Sequence, residues 1–270
     1  MSTPESLPGS GGKPIPLDLH RPDGEPAGVL LIAHGFKGYK DYGFLPLLAE
    51  AAAAAGHAAI RFNFSHGGVS EPHGPFDADL FERDTWNRQC SDLQTLHRWA
   101  ADQFPGTPRH WFGHSRGGIT CLLAASRLDA SDRPATLTAA AAPASCCTLS
   151  DADRERLLAE GRLPSPSGRT GQTLHVGRTW LSEQLDDPAA HDPISSAAAV
   201  ADTTRLLFVH GDADATVPVE SAHAYHNAAA SELAILDDAD HVFNTPNPAE
   251  TPAAAAAQLI RRTLAHVGRV

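Results

Sequence analysis

The stretch Trp111-Phe112-Gly113-His114-Ser115-Arg116-Gly117-Gly118 joins the apolar run Arg109 to Phe112 to a helical pattern from Gly117 to Leu128. It reads as a strand turning sharply into a helix, with a serine at the turn. It contains G-x-S-x-G. With 22 Gly in 270 residues, that pattern arises by chance in roughly one such chain in ten, so its setting carries the argument. A residue on so tight a turn is held in a strained backbone conformation, on the order of 1–3 kcal/mol, and needs small neighbours two positions either side. Gly113 and Gly117 meet that need. The helix that starts there adds the positive end of its dipole and a free backbone N–H at Arg116, both suited to stabilising an oxyanion.

Working outward, the chain alternates strand and helix as a parallel sheet requires. Met1 to Lys13, rich in Ser, Pro and Gly, reads as a flexible tail ahead of one folded domain over 14–270. Ile15 to His20 alternates as a first strand, and Gly28 to Ala33 is a short continuous apolar run expected of a strand buried on both faces. Helix Phe44 to Ala55, ended by Gly56, precedes strand His57 to Phe62. Helix Arg83 to Gln103 leads to strand Arg109 to Phe112, and helix Gly117 to Leu128 leads to strand Thr136 to Ala141. Strand Arg205 to Val209, helix Val219 to Ala230, strand Glu232 to Leu236 and helix Pro248 to Val267 complete the order. Ala144 to Ala199 breaks the rhythm. It shows no strong strand, a polar helix at Asp151 to Glu160, a Gly/Pro/Ser stretch from Gly161 to Gly171 and a further helix around Val176 to Leu185. About fifty-five residues are too many for a structureless connection, so an inserted cap or lid is expected there. Its Trp180 and Leu181 either line a substrate pocket or pack inside the cap.

A serine hydroxyl needs a base to take its proton, and the base needs a third group to hold its ring and tautomer. Both belong at strand ends. After Arg205 to Val209 comes His210-Gly211-Asp212-Ala213-Asp214-Ala215-Thr216-Val217-Pro218, a turn bearing two carboxylates. After the next strand comes Asp237-Asp238-Ala239-Asp240-His241. Asp240 adjoins His241 in the chain and would have to fold back onto its neighbour's ring, which leaves Asp212 and Asp214 as candidates. The order Ser115, Asp, His241 is that of the strand–turn–helix serine hydrolases. The Gly-containing loop Ala33-His34-Gly35-Phe36-Lys37-Gly38 ends the first central strand. Its Phe36 N–H is the expected second oxyanion donor beside that of Arg116.

HGF, GHSRGG, HGDADATVP and DADH, in this order, resemble the α/β-hydrolase superfamily from about Ile15 to the end of the chain. HGFKGYKDYGFLP with RFNFSHGG is similar to its dienelactone hydrolase and cinnamoyl (feruloyl) esterase-like bacterial branch. The resemblance implies an eight-stranded, mostly parallel sheet flanked by helices, and hydrolysis of an ester, thioester or amide through an acyl-enzyme. It implies Ser115 as nucleophile, His241 as base and, from the pattern G-x-x-D-x-x-V-P, Asp214 as acid, with Asp212 left to cap the turn. Dienelactone hydrolases carry Cys where this chain has Ser115, and the inserted segment is richer in Arg and Ser than the cinnamoyl-esterase cap.

The expected activity is hydrolysis of a carboxylic ester with a small to medium acyl group. A thioesterase or acyltransferase, a small-peptide hydrolase and a catalytically silent binding protein are the alternatives. Composition narrows the partners. A formal charge of -11 with no basic cluster disfavours nucleic acid. No run of about 18 apolar residues occurs, and Met1 to Lys13 lacks a basic region followed by an apolar one, so neither a membrane partner nor a leader is expected. Cys90, Cys121, Cys146 and Cys147 lack C-x-x-C spacing and read as free thiols in a cytoplasmic protein. Among 15 His there is no H-E-x-x-H, and His223 with His226 lacks a third ligand; neither a metal nor another cofactor is expected.

Overall fold

The computed structural model describes residues 2–269 apart from 70, 72 and 73. Its main sheet contains β1 (Ser2–Pro8), β2 (Pro14–His20), β3 (Val29–Ala33), β4 (Ala58–Phe62), β5 (Arg109–His114), β6 (Thr136–Ala140), β9 (Arg205–Gly211) and β10 (Ser231–Leu236). The spatial order is β1-β2-β4-β3-β5-β6-β9-β10. The β1–β2 and β2–β4 pairs are antiparallel and every other pair is parallel. The sheet is the eight-stranded, mostly parallel one expected.

Helices cover both faces, and period-two alternation along the strands divides the core between them. Leu30, Ile32 and Phe112 face one side, where α1 (Leu45–Ala54) and α9 (Ala254–Val267) pack with Leu45, Leu48, Leu259 and Ile260. Val29, Leu31 and Trp111 face the other, against α3 (Trp86–Gln103), α4 (Arg116–Ser126), α7 (Pro193–Val200) and α8 (Glu220–Ala228). All five residues of β3 are buried, as its unbroken apolar run requires. β4 also buries Arg61, which is tolerable because Asp18, its register partner on β2, lies 2.7 Å from Arg61 Nη2 and Asp41 pairs with Nη1.

Three expectations are corrected. The supposed tail over 1–13 contains β1, which pairs along its length with β2 from Ser2↔His20 to Pro8↔Pro14; Met1 lies outside the described residues. Proline hides such a strand from sequence reasoning, yet at the sheet edge the missing N–H costs no ladder bond when it faces outward. The Gly/Pro/Ser stretch contains a strand too: β7 (Arg162–Pro166) pairs antiparallel with β8 (Thr173–Gly177), a two-stranded ribbon with Leu163 opposite Val176. Its own prolines, Pro164 and Pro166, masked it. The helix expected over Arg83 to Gln103 is α3, which begins three residues later at Trp86 and is preceded by a separate short helix, α2 (Ala78–Glu82); the Thr85 hydroxyl caps α3 by accepting from Arg88 N–H at 3.3 Å.

Within 144–199, α5 (Asp151–Glu160) runs from its Ser150 cap to Gly161, which is left-handed at φ 84°. The ribbon and α6 (Arg178–Asp186) follow. α7 closes the segment inside the helix layer, with Ala197 and Val200 fully buried. Among the described residues no helix is long and apolar enough to cross a membrane.

Candidate active site

Ser115 stands between β5 and α4 with φ 54° and ψ -122°, a left-handed strain for a residue with a side chain. The surrounding packing enforces it. A Cβ on Gly113 would lie 2.3 Å from Gly117 O, and one on Gly117 would lie 2.6 Å from both Ala33 O and His34 O. Only glycine at these two positions lets β5, the turn and the loop after β3 approach so closely. Ser115 N–H donates to Ala140 O at 2.8 Å and Gly118 N–H to Ser115 O at 2.9 Å, so both flanks of the turn are tied down.

His241 follows β10 and Asp214 follows β9, both at the carboxyl end of the sheet. Ser115 Oγ is 3.0 Å from His241 Nε2, and His241 Nδ1 is 2.8 Å from Asp214 Oδ2. The ionised carboxylate only accepts, so Nδ1 carries the proton, leaving Nε2 to accept from the serine hydroxyl. Asp214 is fully enclosed. Burial alone would push its carboxyl up, but hydrogen bonds from His210, His241 and the Val217 N–H together outweigh it and hold Asp214 below the usual carboxylate range. Its other oxygen accepts from Thr216 and Val217 N–H at 2.8 and 2.9 Å, so the turn pins the carboxylate before it reaches the ring.

The remaining acids lie elsewhere. Asp212 Oδ1 accepts from Asp238 N–H at 2.7 Å, bridging to the next loop instead of capping its own turn as expected. Asp240 caps its own turn, accepting from Val242 and Asn244 N–H at 3.0 and 2.7 Å. Two histidines not singled out in the sequence hold the frame. His114 Nε2–H donates to His241 O at 2.8 Å, and His34 Nδ1–H donates to Gly35 O at 2.9 Å. Burial lowers them to about 3 and about 4, so both are neutral. Each precedes a motif glycine or serine at the end of a buried strand; that position was their signal.

Phe36 sits beside this group, since a Cβ on Gly35 would lie 3.1 Å from Ser115 Cβ. Among the described residues the backbone N–H of Phe36 and that of Arg116 have no acceptor. Ser115 and Phe36 border two cavities. One, of about 220 Å³, is lined by Lys37, Tyr42, Arg169 and His241 among others. The other, of about 350 Å³, is mostly carbon-walled and includes Trp86, Ile119, Leu149, Leu163 and Trp180. Trp180 borders this cavity and also belongs to the buried core cluster, so it touches both surroundings expected of it. Leu181 does not: it is 2% exposed and packs into the core beneath α6, so its expected pocket role is corrected. Trp86 and the Arg116 side chain were missed, because each begins a helix and only the fold shows that the two helix starts converge.

A parallel sheet that presents Ser, Asp and His in this order on the loops at its carboxyl end is the architecture of an α/β-hydrolase. The chain belongs to the alpha/beta hydrolase family, whose profile matches residues 29–257. It is similar to a monoacylglycerol lipase of Mycolicibacterium smegmatis, 26% identical over an alignment 273 positions long that covers 89% of this chain and 91% of that protein. Among solved structures it resembles Est1E from Butyrivibrio proteoclasticus with ferulic acid bound, TM-score 0.72, 16% identity, covering 100% of this chain and 98% of that one. It also resembles a dienelactone hydrolase from Anabaena variabilis, TM-score 0.63, 14% identity, covering 99% and 98%. At these identities the structural likeness is one of fold.

Proposed function

We propose that the protein is a serine esterase, hydrolysing carboxylic esters of small to medium acyl groups through an acyl-enzyme. The observation that carries this reading is the continuous relay from Ser115 Oγ to His241 Nε2 at 3.0 Å and from His241 Nδ1 to Asp214 at 2.8 Å. In the proposed mechanism Ser115 Oγ attacks the ester carbonyl while His241 Nε2 takes its proton, and Asp214 steadies the imidazolium that forms. The backbone N–H groups of Phe36 and Arg116 receive the oxyanion. Collapse expels the alcohol, which leaves with the proton from His241; water, activated by the same ring, then releases the acid and restores the serine.

The carbon-walled cavity suits the acyl chain, and its volume of about 350 Å³ fits a small to medium one. The segment 144–199 acts as a cap, because Ser145, Leu149, Leu163 and Trp180 come from it. The name of the similar monoacylglycerol lipase agrees with an ester substrate. The free thiols Cys90, Cys121, Cys146 and Cys147 suit a reducing, cytoplasmic setting. Incubation with a fluorophosphonate probe tests the reading. Stoichiometric labelling at Ser115, absent in Ser115→Ala together with hydrolysis of p-nitrophenyl acetate, is expected; a folded Ser115→Ala protein that keeps either property refutes it.

A further inference from the structure

The Arg116 guanidinium has no part in the proposed chemistry, yet it is placed in the same cavity. Arg116 is 7% exposed and lines the wall beside Ser115. Its guanidinium lies 4.5 Å from the centre of the Trp86 ring and 5.3 Å from that of Phe36, clamped between two aromatic faces. Arg116 Nε and Nη2 are enclosed without a hydrogen-bond partner. Asp84 Oδ2, 3.3 Å from Nη2, balances the charge but is not aligned to accept from it and instead accepts from Gln89 Nε2–H at 2.7 Å, while Asp84 Oδ1 is enclosed with no partner. The indole N–H groups of Trp86 and Trp180, in the same wall, also lack acceptors. Three donor-bearing side chains thus border a cavity otherwise walled mainly by carbon. Because no hydrogen bond pins the guanidinium, a small side-chain rotation turns its donors toward a ligand.

We propose that this cavity selects acyl chains carrying a neutral oxygen acceptor, such as a ketone, ether or hydroxyl, with Arg116 as the principal specificity residue. This rests on the ester-hydrolase reading and names its substrate class. A hydrocarbon chain would leave these donors unpaired, and a site with buried donors discriminates strongly against a substrate that cannot satisfy them. A carboxylate fits less well, because Asp84 already neutralises Arg116 and would face the incoming anion. Burial pushes the Asp84 carboxyl up to about 6 despite the Arg116 charge, a measure of how poorly this region solvates negative charge.

The test compares kcat/KM for p-nitrophenyl 5-oxohexanoate, p-nitrophenyl hexanoate and mono-p-nitrophenyl adipate, three acyl groups of equal length. The oxo ester is expected to exceed the hexanoate by about tenfold or more, the adipate is expected not to exceed the hexanoate, and Arg116→Met is expected to bring the oxo-to-hexanoate ratio near one. No preference for the oxo ester, a preference for the adipate, or a preference that survives Arg116→Met overturns the proposal. A second measurement needs neither turnover nor a change at position 116. Tryptophan fluorescence of Ser115→Ala, titrated with methyl 5-oxohexanoate and methyl hexanoate, is expected to show tighter binding of the former, and equal affinities overturn the proposal. Retained selective binding with no wild-type hydrolysis of any ester would instead overturn only the esterase reading.

Discussion

The loops at the carboxyl ends of β5, β9 and β10 and the segment 144–199 together border the two cavities beside Ser115 but are held in different ways. The strand-end loops are fixed by backbone. Asp212 N–H bonds to Leu236 O and Ala213 N–H to Ala239 O, each at 3.1 Å, and a Cβ on Gly211 would lie 2.0 Å from Ala239 O. The inserted ribbon meets the rest of the molecule mainly through side chains. Gln172 both donates to Phe76 O and accepts from its N–H, at 2.9 and 2.8 Å, and Lys37 Nζ donates to Pro166 O at 2.6 Å. A backbone-tied loop holds its Ser115, Asp214 or His241 side chain in place, whereas a side-chain-tied cap can change shape around them. On the proposed function, substitutions in the first region act on rate, and those in the second act on selectivity.

That contrast is most exposed at Asp214. Asp214→Asn should lower turnover about 10³–10⁴-fold, because the amide favours the His241 tautomer with the proton on Nε2, which cannot accept from Ser115. Near-normal kcat in a folded variant would remove Asp214 from the relay.

Acid should strike the sheet region next. Burial lowers His34, His97 and His110 to about 4 and His114 to about 3, from an ordinary 6.5. Between pH 6.5 and 4 the unfolded chain therefore binds more protons than the folded one, so stability falls as pH falls through that window. Asp84, raised to about 6 from 3.8, and Asp92, which burial also raises, act in the opposite sense but are only two groups against four histidines. The thermal midpoint followed by circular dichroism should drop steadily from pH 6.5 to 4; a flat profile would contradict the neutral, buried state of these rings.

In the cap, Trp180→Ala should alter the hexanoate-to-acetate ratio of kcat/KM by about tenfold, and acetate turnover should change less than hexanoate turnover. An unchanged ratio would make Trp180 a packing residue only. The smallest effect belongs to Asp212→Ala. It removes the bond from Asp238 N–H and should cost about 0.5–1.5 kcal/mol in denaturant titration, with turnover little changed. A dead enzyme there would reverse the contrast between Asp212 and Asp214.

Much of the architecture was legible in the chain because its signals are local. The unbroken apolar run at 29–33, the glycines two positions either side of Ser115, and the Asp and His after successive strands each lie within a few residues of what they specify. Sequence order thus determined the doubly covered parallel sheet and the approach of Ser115, Asp214 and His241. Tertiary structure alone decided features set by distant partners: β1 pairing at the sheet edge, the proline-masked ribbon, Leu181 turning into the core, Asp212 bridging to Asp238, and Arg116 held between Phe36 and Trp86. The physical reason is that a strand edge, a buried face and a stacked cation depend on which surface arrives opposite them, and the helix starts bearing Trp86 and Arg116, thirty residues apart in sequence, meet only when the chain packs.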